Sequence, residues 1–250
     1  MKPLLLVTGA SRGIGAATAT LAAAQGWAVA LNYARDAAAA RAVVECLRAA
    51  GGEAEAFRAD VADSTQVQAM FGAVDDHFGA GRLRGLVNNA GVVDIAARVD
   101  AMTPERVQRM FAVNVFGSFW CAREALRRMS RVHGGAGGAI VNLSSAATRI
   151  GSPGQYVDYA AAKGAIDTFT LGLAREVAGE GVRVNAVRPG IIDTEIHASG
   201  GQPDRARRAA PQLPMQRAGT ADEVAQSIVW LLSDAASYVT GALLDVSGGR

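Results

Sequence analysis

Leu4-Leu5-Leu6-Val7-Thr8-Gly9-Ala10-Ser11-Arg12-Gly13-Ile14-Gly15 opens the chain and governs how the remainder is read. An apolar run of strand length breaks at Gly9, and Ala16 to Gln25 then supplies strong helix formers up to Gly26. A strand, a glycine-rich turn and a helix in that order leave helix N–H groups unsatisfied at the turn. The positive end of the helix dipole lies there too, which suits a phosphate. The spacing is GxxxGxG, not the common GxGxxG. Gly9 permits a tight exit from the strand, Gly13 gives backbone access to a ligand, and Gly15 allows close helix packing on the sheet. Glycines also punctuate ordinary loops, so the motif points to a dinucleotide and not to a reaction.

Outward from this turn, short apolar runs alternate with helical stretches. Ala28 to Tyr33, Glu53 to Ala59, Leu83 to Asn88, Ala139 to Leu143, Val182 to Val187 and Ala242 to Val246 are the further expected strands. Between them, Ala37 to Ala50 closes on Gly51-Gly52, Ser64 caps a helix to about Phe78, and Thr103-Pro104-Glu105 starts a long helix to about Arg131. Gly134 to Gly138 reads as a mobile loop. A helix from about Tyr159 to Ala178 follows, and Thr220 with Glu223 forms a capping box for a last helix through Leu232. Strands apolar throughout and separated by helices indicate a parallel sheet covered on both faces. The expected fold class is α/β: one doubly wound Rossmann domain over residues 1–250, with about seven strands.

Composition narrows the partners. Among 250 residues, half are hydrophobic, enough to bury a core, and 25 Lys+Arg against 23 Asp+Glu leave a net charge of +2. No block of like charge stands out, which argues against nucleic acid or an anionic membrane as partner; Arg205, Arg207 and Arg208 read as a solvated face. Cys46 and Cys121 lie far apart without CxxC or histidine neighbours, so neither a zinc site nor a disulfide scaffold is expected. The N-terminal apolar run is too short for a signal peptide and no stretch reaches membrane-spanning length; a cytoplasmic protein is expected.

Three groups carry candidate chemistry. Tyr159-Ala160-Ala161-Ala162-Lys163 puts a phenol and an ammonium one helical turn apart, where the cation favours the phenolate that acid/base work requires. The neighbouring Tyr156 has Ala160 at its fourth position and lacks the cation. Ser144 and Ser145 follow the fifth strand, at the carboxyl edge where α/β proteins bind ligands; Ser144 reads as a turn serine. Asn114 sits in an apolar helical stretch, where a buried amide needs partners. Cofactor choice rests on charge. An acid ending the second strand would bind a free ribose hydroxyl, but Asn32-Tyr33-Ala34-Arg35 stands there, with Asp36 one residue beyond. Arg12 and Arg35 offer cations and Asn32 a neutral terminus, so NADP is expected over NAD.

Taken in order, Thr8 to Gly15, Asn88-Asn89-Ala90-Gly91, Asn114, Ser145, Tyr159/Lys163 and Pro189-Gly190-Ile191-Ile192-Asp193-Thr194 resemble the classical short-chain dehydrogenase/reductases over essentially the whole chain. Within that family the chain is similar to bacterial sugar-dehydrogenase-like and 3-oxoacyl-carrier-protein-reductase-like members. The resemblance implies a tetrad: Tyr159 as general acid/base, Lys163 lowering its pKa and holding the nicotinamide ribose, Ser145 orienting the substrate oxygen, and Asn114 supporting a relay water. It also implies that Asp60 and Val61 meet the adenine and that Asn89, Ala90 and Gly91 line the cofactor cleft. Thr194 would contact the carboxamide, beside Pro189, Gly190 and Ile192. A homotetramer is implied as well, and the helices bearing Phe116, Phe119, Trp120, Leu126, Phe169, Leu171 and Leu173 are apolar on more than one face. Ser145 lies fourteen residues before Tyr159, where thirteen is usual, and an extra residue within Gln155 to Asp158 would absorb the difference.

The function implied is hydride transfer between a nicotinamide cofactor and a carbonyl or secondary alcohol. The alternative is a cofactor-binding sensor or scaffold without turnover, which would have no need of an acid/base pair. An epimerase or dehydratase would need a separate substrate domain. Residues 193–214, broken by glycines and prolines, read as a substrate lid; His197 within it is assigned no role. Substrate identity is not written in these motifs.

Overall fold

The computed structural model describes residues 1–250. The chain begins with β1 (Leu4–Val7), α1 (Gly13–Ala24), β2 (Ala28–Tyr33), α2 (Ala37–Ala49), β3 (Ala54–Arg58), α3 (Ser64–Phe78) and β4 (Leu83–Asn88). Next come α4 (Pro104–Phe111), α5 (Gly117–Met129), β5 (Gly138–Leu143), α6 (Ala147–Ile150), α7 (Val157–Val177) and β6 (Val182–Pro189). The chain closes with α8 (Ile196–Ser199), α9 (Arg205–Ala209), α10 (Ala221–Leu232) and β7 (Leu243–Val246). All seven strands join one sheet in the order β3-β2-β1-β4-β5-β6-β7, and every pairing is parallel. The order reverses between β1 and β4, which opens a crevice at the carboxyl edge of the sheet.

The pleat sorts the apolar side chains into two cores. Leu4 and Leu6 of β1 join the layer containing Phe71, Met129 and Val177, from α3, α5 and α7. Leu5 and Val7 point the other way, into the layer of Ala19, Val44 and Ile228 from α1, α2 and α10. Because both faces are covered, the central strands carry no polar alternation.

Several boundaries differ from expectation, each for a physical reason. The first helix begins at Gly13, inside the glycine motif, so its free first-turn amides fall where a ligand would lie. Asp63, not Ser64, caps α3: its carboxylate accepts from Thr65 N and Gln66 N. The single helix expected from Thr103 to Arg131 is interrupted by a π-turn at Ala112–Phe116. There the Asn114 amide donates to the Met110 carbonyl at 2.9 Å, occupying an acceptor of the helical ladder.

Gly134 to Gly138 is not a free loop. Gly137 N donates to Met129 O at 2.7 Å, and a Cβ on Gly135 would meet the Met129 backbone at 2.4 Å. These glycines let the chain fold back against the end of α5. Between Ser145 and Tyr159 the chain makes α6 and a turn, and α7 already begins at Val157. The turn before α7 uses left-handed backbone at Gly151 (φ 67°), Ser152 (φ 49°) and Gly154 (φ 70°).

Residues 193–214 are built from α8, α9 and a 3₁₀ turn over Ala210–Gln212, seated on a small apolar cluster of Ile191, Ala206 and Leu213. The expected capping box is present: Thr220 Oγ1 accepts from Glu223 N at 3.2 Å and Glu223 accepts from Thr220 N at 2.8 Å. No helix is long and apolar enough to cross a membrane.

Candidate active site

The carboxyl ends of β1 and β4 are tied together by two side chains. Thr8 Oγ1 accepts from Asn89 N and from Ala90 N, each at 3.0 Å, while the Asn89 amide donates to the Thr8 and Gly9 carbonyls at 2.9 and 3.0 Å. This lacing brings the glycine turn against the β4 exit. Gly9 takes φ 61°, and a Cβ there would sit 2.9 Å from Ala90 Cα. Gly15 permits the close packing expected of it, since a Cβ there would lie 2.7 Å from the Gly9 carbonyl oxygen. A Cβ on it would meet the Asn89 amide nitrogen at 2.5 Å, so Gly15 clears space for the lacing and lines neither cleft.

Two adjoining clefts open on this edge. The first is lined by Gly9, Ser11, Arg12, Gly13, Ile14, Asp60, Val61, Asn89, Ala90, Gly91 and Thr194, together with Asn32 to Asp36. The second is lined by Ser145, Tyr159, Lys163, Pro189, Gly190, Ile192 and Thr194. Ile14, Asn89, Gly91 and Thr194 belong to both and mark the junction.

The first cleft has the donors that a dinucleotide needs. Helix α1 has Arg12 at its N-cap, no side chain capping its amides and no acid in its first turn. Its N–H groups and dipole are therefore open to a phosphate. Gly13 adopts φ 55°, and a Cβ there would reach within 3.5 Å of Thr194 across the gap. Asn32 lines this cleft with its side-chain amide already engaged. It is buried, with Oδ1 accepting from Gly9 N at 3.3 Å and Nδ2 donating to Ala59 O at 3.1 Å. The amide shapes the glycine turn, leaving Tyr33, Ala34 and Arg35 to form the mouth of the cleft. Asp36 turns toward its own helix, accepting from Ala39 N at 3.0 Å as the cap of α2.

In the second cleft, α7 presents Tyr159 and Lys163 to Ser145 at the end of β5. Helix α7 is anchored at its first turn. Asp158 accepts from Arg106 Nε at 2.8 Å and from Tyr159 N at 2.9 Å, which locks α4 to the base of the tyrosine. Ser145 and Tyr159 line the same cleft, and Ser145 Oγ accepts from Ala147 N at 3.1 Å. Ser144 is buried and donates to the Lys163 carbonyl at 3.3 Å, which leaves the site to Ser145.

Lys163 is buried, with Nζ donating to Leu143 O at 2.6 Å and lying 5.6 Å from the Tyr159 ring centroid. Burial pulls its pKa down to about 8, against the charge of Asp167. Burial pushes the Tyr159 phenol above its ordinary value, opposed first by the Ser145 hydrogen bond and then by the charge of Arg205. Asn114 is buried and clamps the β4 exit, Oδ1 accepting from Val92 N at 3.1 Å and Nδ2 donating to Val92 O at 3.0 Å.

Sequence reading missed two residues at this site. Arg205, taken for part of a solvated face, lines the second cleft, and so does Arg250. His197 also lines it, its Nε2 2.8 Å from the Ile192 carbonyl. No spacing rule relates these positions to the tyrosine, because the loop after β6 and the end of the chain meet only once the sheet is folded.

A laced glycine turn, an open helix N-terminus and a Ser–Tyr–Lys group at one sheet edge define a dinucleotide-dependent oxidoreductase site. The family model described as enoyl-(acyl carrier protein) reductase matches residues 9–250. An uncharacterized oxidoreductase of Escherichia coli K12 is 56% identical over 99% of this chain and 99% of its own. A 3-oxoacyl-[acyl-carrier-protein] reductase of Staphylococcus aureus is 38% identical over 98% of this chain and 96% of its own. Among solved structures, a short-chain dehydrogenase/reductase variant from Serratia marcescens superimposes with a TM-score of 0.89 at 36% identity, covering 99% of this chain and 97% of that one. The chain belongs to the short-chain dehydrogenase/reductase family, whose members are NAD(P)-dependent oxidoreductases.

Proposed function

We propose that this protein interconverts a carbonyl and a secondary alcohol, with Tyr159 as general acid/base, Ser145 orienting the substrate oxygen and residues 193–214 covering the substrate. The observation that carries this reading is that Ser145, Tyr159 and Lys163 line one cleft, which adjoins the dinucleotide-sized cleft at the same sheet edge. A nicotinamide dinucleotide bound in the first cleft supplies the hydride. The protein's own residues do the rest. The amides of α1 hold the pyrophosphate, Asp60 and Val61 border the adenine, and Asn89 to Gly91 form one wall. Pro189, Gly190, Ile192 and Thr194 flank the nicotinamide end. In reduction, Ser145 holds the substrate oxygen while Tyr159 delivers its proton to it; in oxidation the proton returns to the phenolate. Lys163 lies behind the tyrosine as a buried donor for the ribose, and Asn114 keeps Gly91 and Val92 in register beside it.

NADP is the preferred cofactor in this reading. Arg12 and Arg35 are exposed at the mouth of the first cleft and form no ion pair, while the carboxylate of Asp36 is engaged with the N-terminus of α2. A 2′-phosphate placed between those guanidiniums would make charge-assisted hydrogen bonds. The test is a panel of carbonyls and alcohols followed by nicotinamide absorbance with both cofactors, in the parent and in Arg12→Ala. Turnover with kcat/KM favouring NADP in the parent, and an Arg12→Ala loss of about 1.5–3 kcal/mol confined to NADP, is the expected outcome. An equal loss with both cofactors would leave Arg12 a loop residue, and absence of turnover across the panel would favour a binding protein.

The same reading includes a homotetramer. Phe116 and Phe119 of the π-turn and α5, and Leu171 of α7, are exposed, and Phe119 stacks on Phe169 with ring centroids 3.9 Å apart. These rings form a continuous apolar face across two neighbouring helices, suited to an identical face on a second copy.

A further inference from the structure

The second cleft is more cationic than carbonyl chemistry requires. Lys163, Arg205 and Arg250 line it, and no aspartate or glutamate does. Lys163 donates to the Leu143 carbonyl and, in the reading above, to the cofactor ribose. The two arginines are half-buried and make no ion pair. The molecule's other half-buried arginines hold carboxylates or backbone carbonyls. Arg82, Arg106, Arg128 and Arg188 each hold a carboxylate at 2.7–2.9 Å, and Arg183 donates to four backbone carbonyls.

Arg205 is also held in place. Its guanidinium lies 4.9 Å over the ring of Tyr156, which is buried. The Tyr156 hydroxyl accepts from Gln202 Nε2 at 2.7 Å, and Gln202 Oε1 accepts from Arg208 at 2.8 Å. Stacking satisfies the face of a guanidinium and leaves its edge N–H groups free to donate. Arg250 lies close enough to feel the charge of Arg205. No carboxylate side chain lines this cleft, so an anion entering it would meet guanidinium donors that no carboxylate side chain neutralises.

We propose that the substrate carries a carboxylate, received by Arg205 and Arg250, so that the protein acts on an oxo or hydroxy carboxylic acid. This inference rests on the reading of the second cleft as the carbonyl pocket. Arginine matches a carboxylate through paired N–H donors, which fixes orientation as well as affinity. Val93, Ile150, Ile191 and Ile196 supply apolar lining for the hydrocarbon that joins carboxylate to carbonyl. With the acid anchored at α9, the carbonyl at the other end is directed to Ser145 and Tyr159. Arg205 and Arg250 are specificity residues in this account and take no part in proton transfer.

The test titrates the NADP⁺-saturated protein by calorimetry with benzoate and with benzamide, which share a shape and differ in charge. Benzoate is expected to bind more tightly than benzamide. Arg205→Gln and Arg250→Gln should each weaken benzoate at least tenfold without changing benzamide, and Arg205→Lys should recover part of the loss. Benzoate binding no tighter than benzamide, or equally tight in the variants, would overturn the proposal. The outcome is separable from that of the oxidoreductase reading. Charge-selective binding without turnover of any carbonyl would retain the anion site and refute the reaction. Turnover of neutral carbonyls without benzoate selectivity would do the reverse.

Discussion

Lys163 occupies a position that works against folding. Its ammonium is buried against one carbonyl, and its pKa falls from 10.5 to about 8. The folded chain therefore binds this proton less tightly than the unfolded chain, so the penalty is full below pH 8 and fades as pH rises from 8 to 10.5. The stability of Lys163→Met relative to the parent should accordingly decline across that window, read by urea unfolding at pH 7 and at pH 10. A difference that did not vary with pH would mean that the ammonium is not desolvated. Tyr159, Lys163 and Ser145 were legible because a helical spacing and a strand end place them without knowledge of the fold. The partners of Asn32 were not legible, because charge complementarity identifies a neutral side chain but not what it hydrogen-bonds. Arg205 was missed because the Tyr156 ring that orients it belongs to another element.

The joint between α4 and α5 shows what one side chain does to an element. Asn114 donates to Met110 O and pairs with both polar atoms of the Val92 backbone, and the helix widens into a π-turn around it. Asn114→Ala would leave buried partners unsatisfied, at a cost of about 1–3 kcal/mol, and would release the wall of the cleft at Gly91. Urea unfolding should show this loss, and cofactor affinity should fall with it; unchanged affinity would mean that the clamp does not position the cleft. The apolar pattern runs through the π-turn without a break, so periodicity alone reads one long helix. The opposite case is α10, whose capping box was legible because it is entirely local. Thr220→Ala should cost about 1 kcal/mol by the same measurement and leave turnover unchanged.

At the scale of the whole molecule, the parallel sheet and its two covered faces were legible because apolar strands alternate with helices along the whole chain. The union of two clefts at one edge was not, since it depends on Thr8 and Asn89 lacing β1 to β4 and on α9 folding over the end of β6. Assembly belongs to this scale too. Light scattering at micromolar concentration should return about four times the mass of one chain, and a monomer would contradict the reading of the exposed Phe116 and Phe119 face. The two clefts must also act as one enzyme, one binding cofactor and the other moving the proton. The measurement that separates these tasks compares Tyr159→Phe with the parent for NADP affinity by calorimetry and for turnover by nicotinamide absorbance. Affinity should be nearly unchanged while turnover falls by a factor of about 10²–10⁴. A Tyr159→Phe protein that binds NADP and retains near-normal turnover would contradict the account.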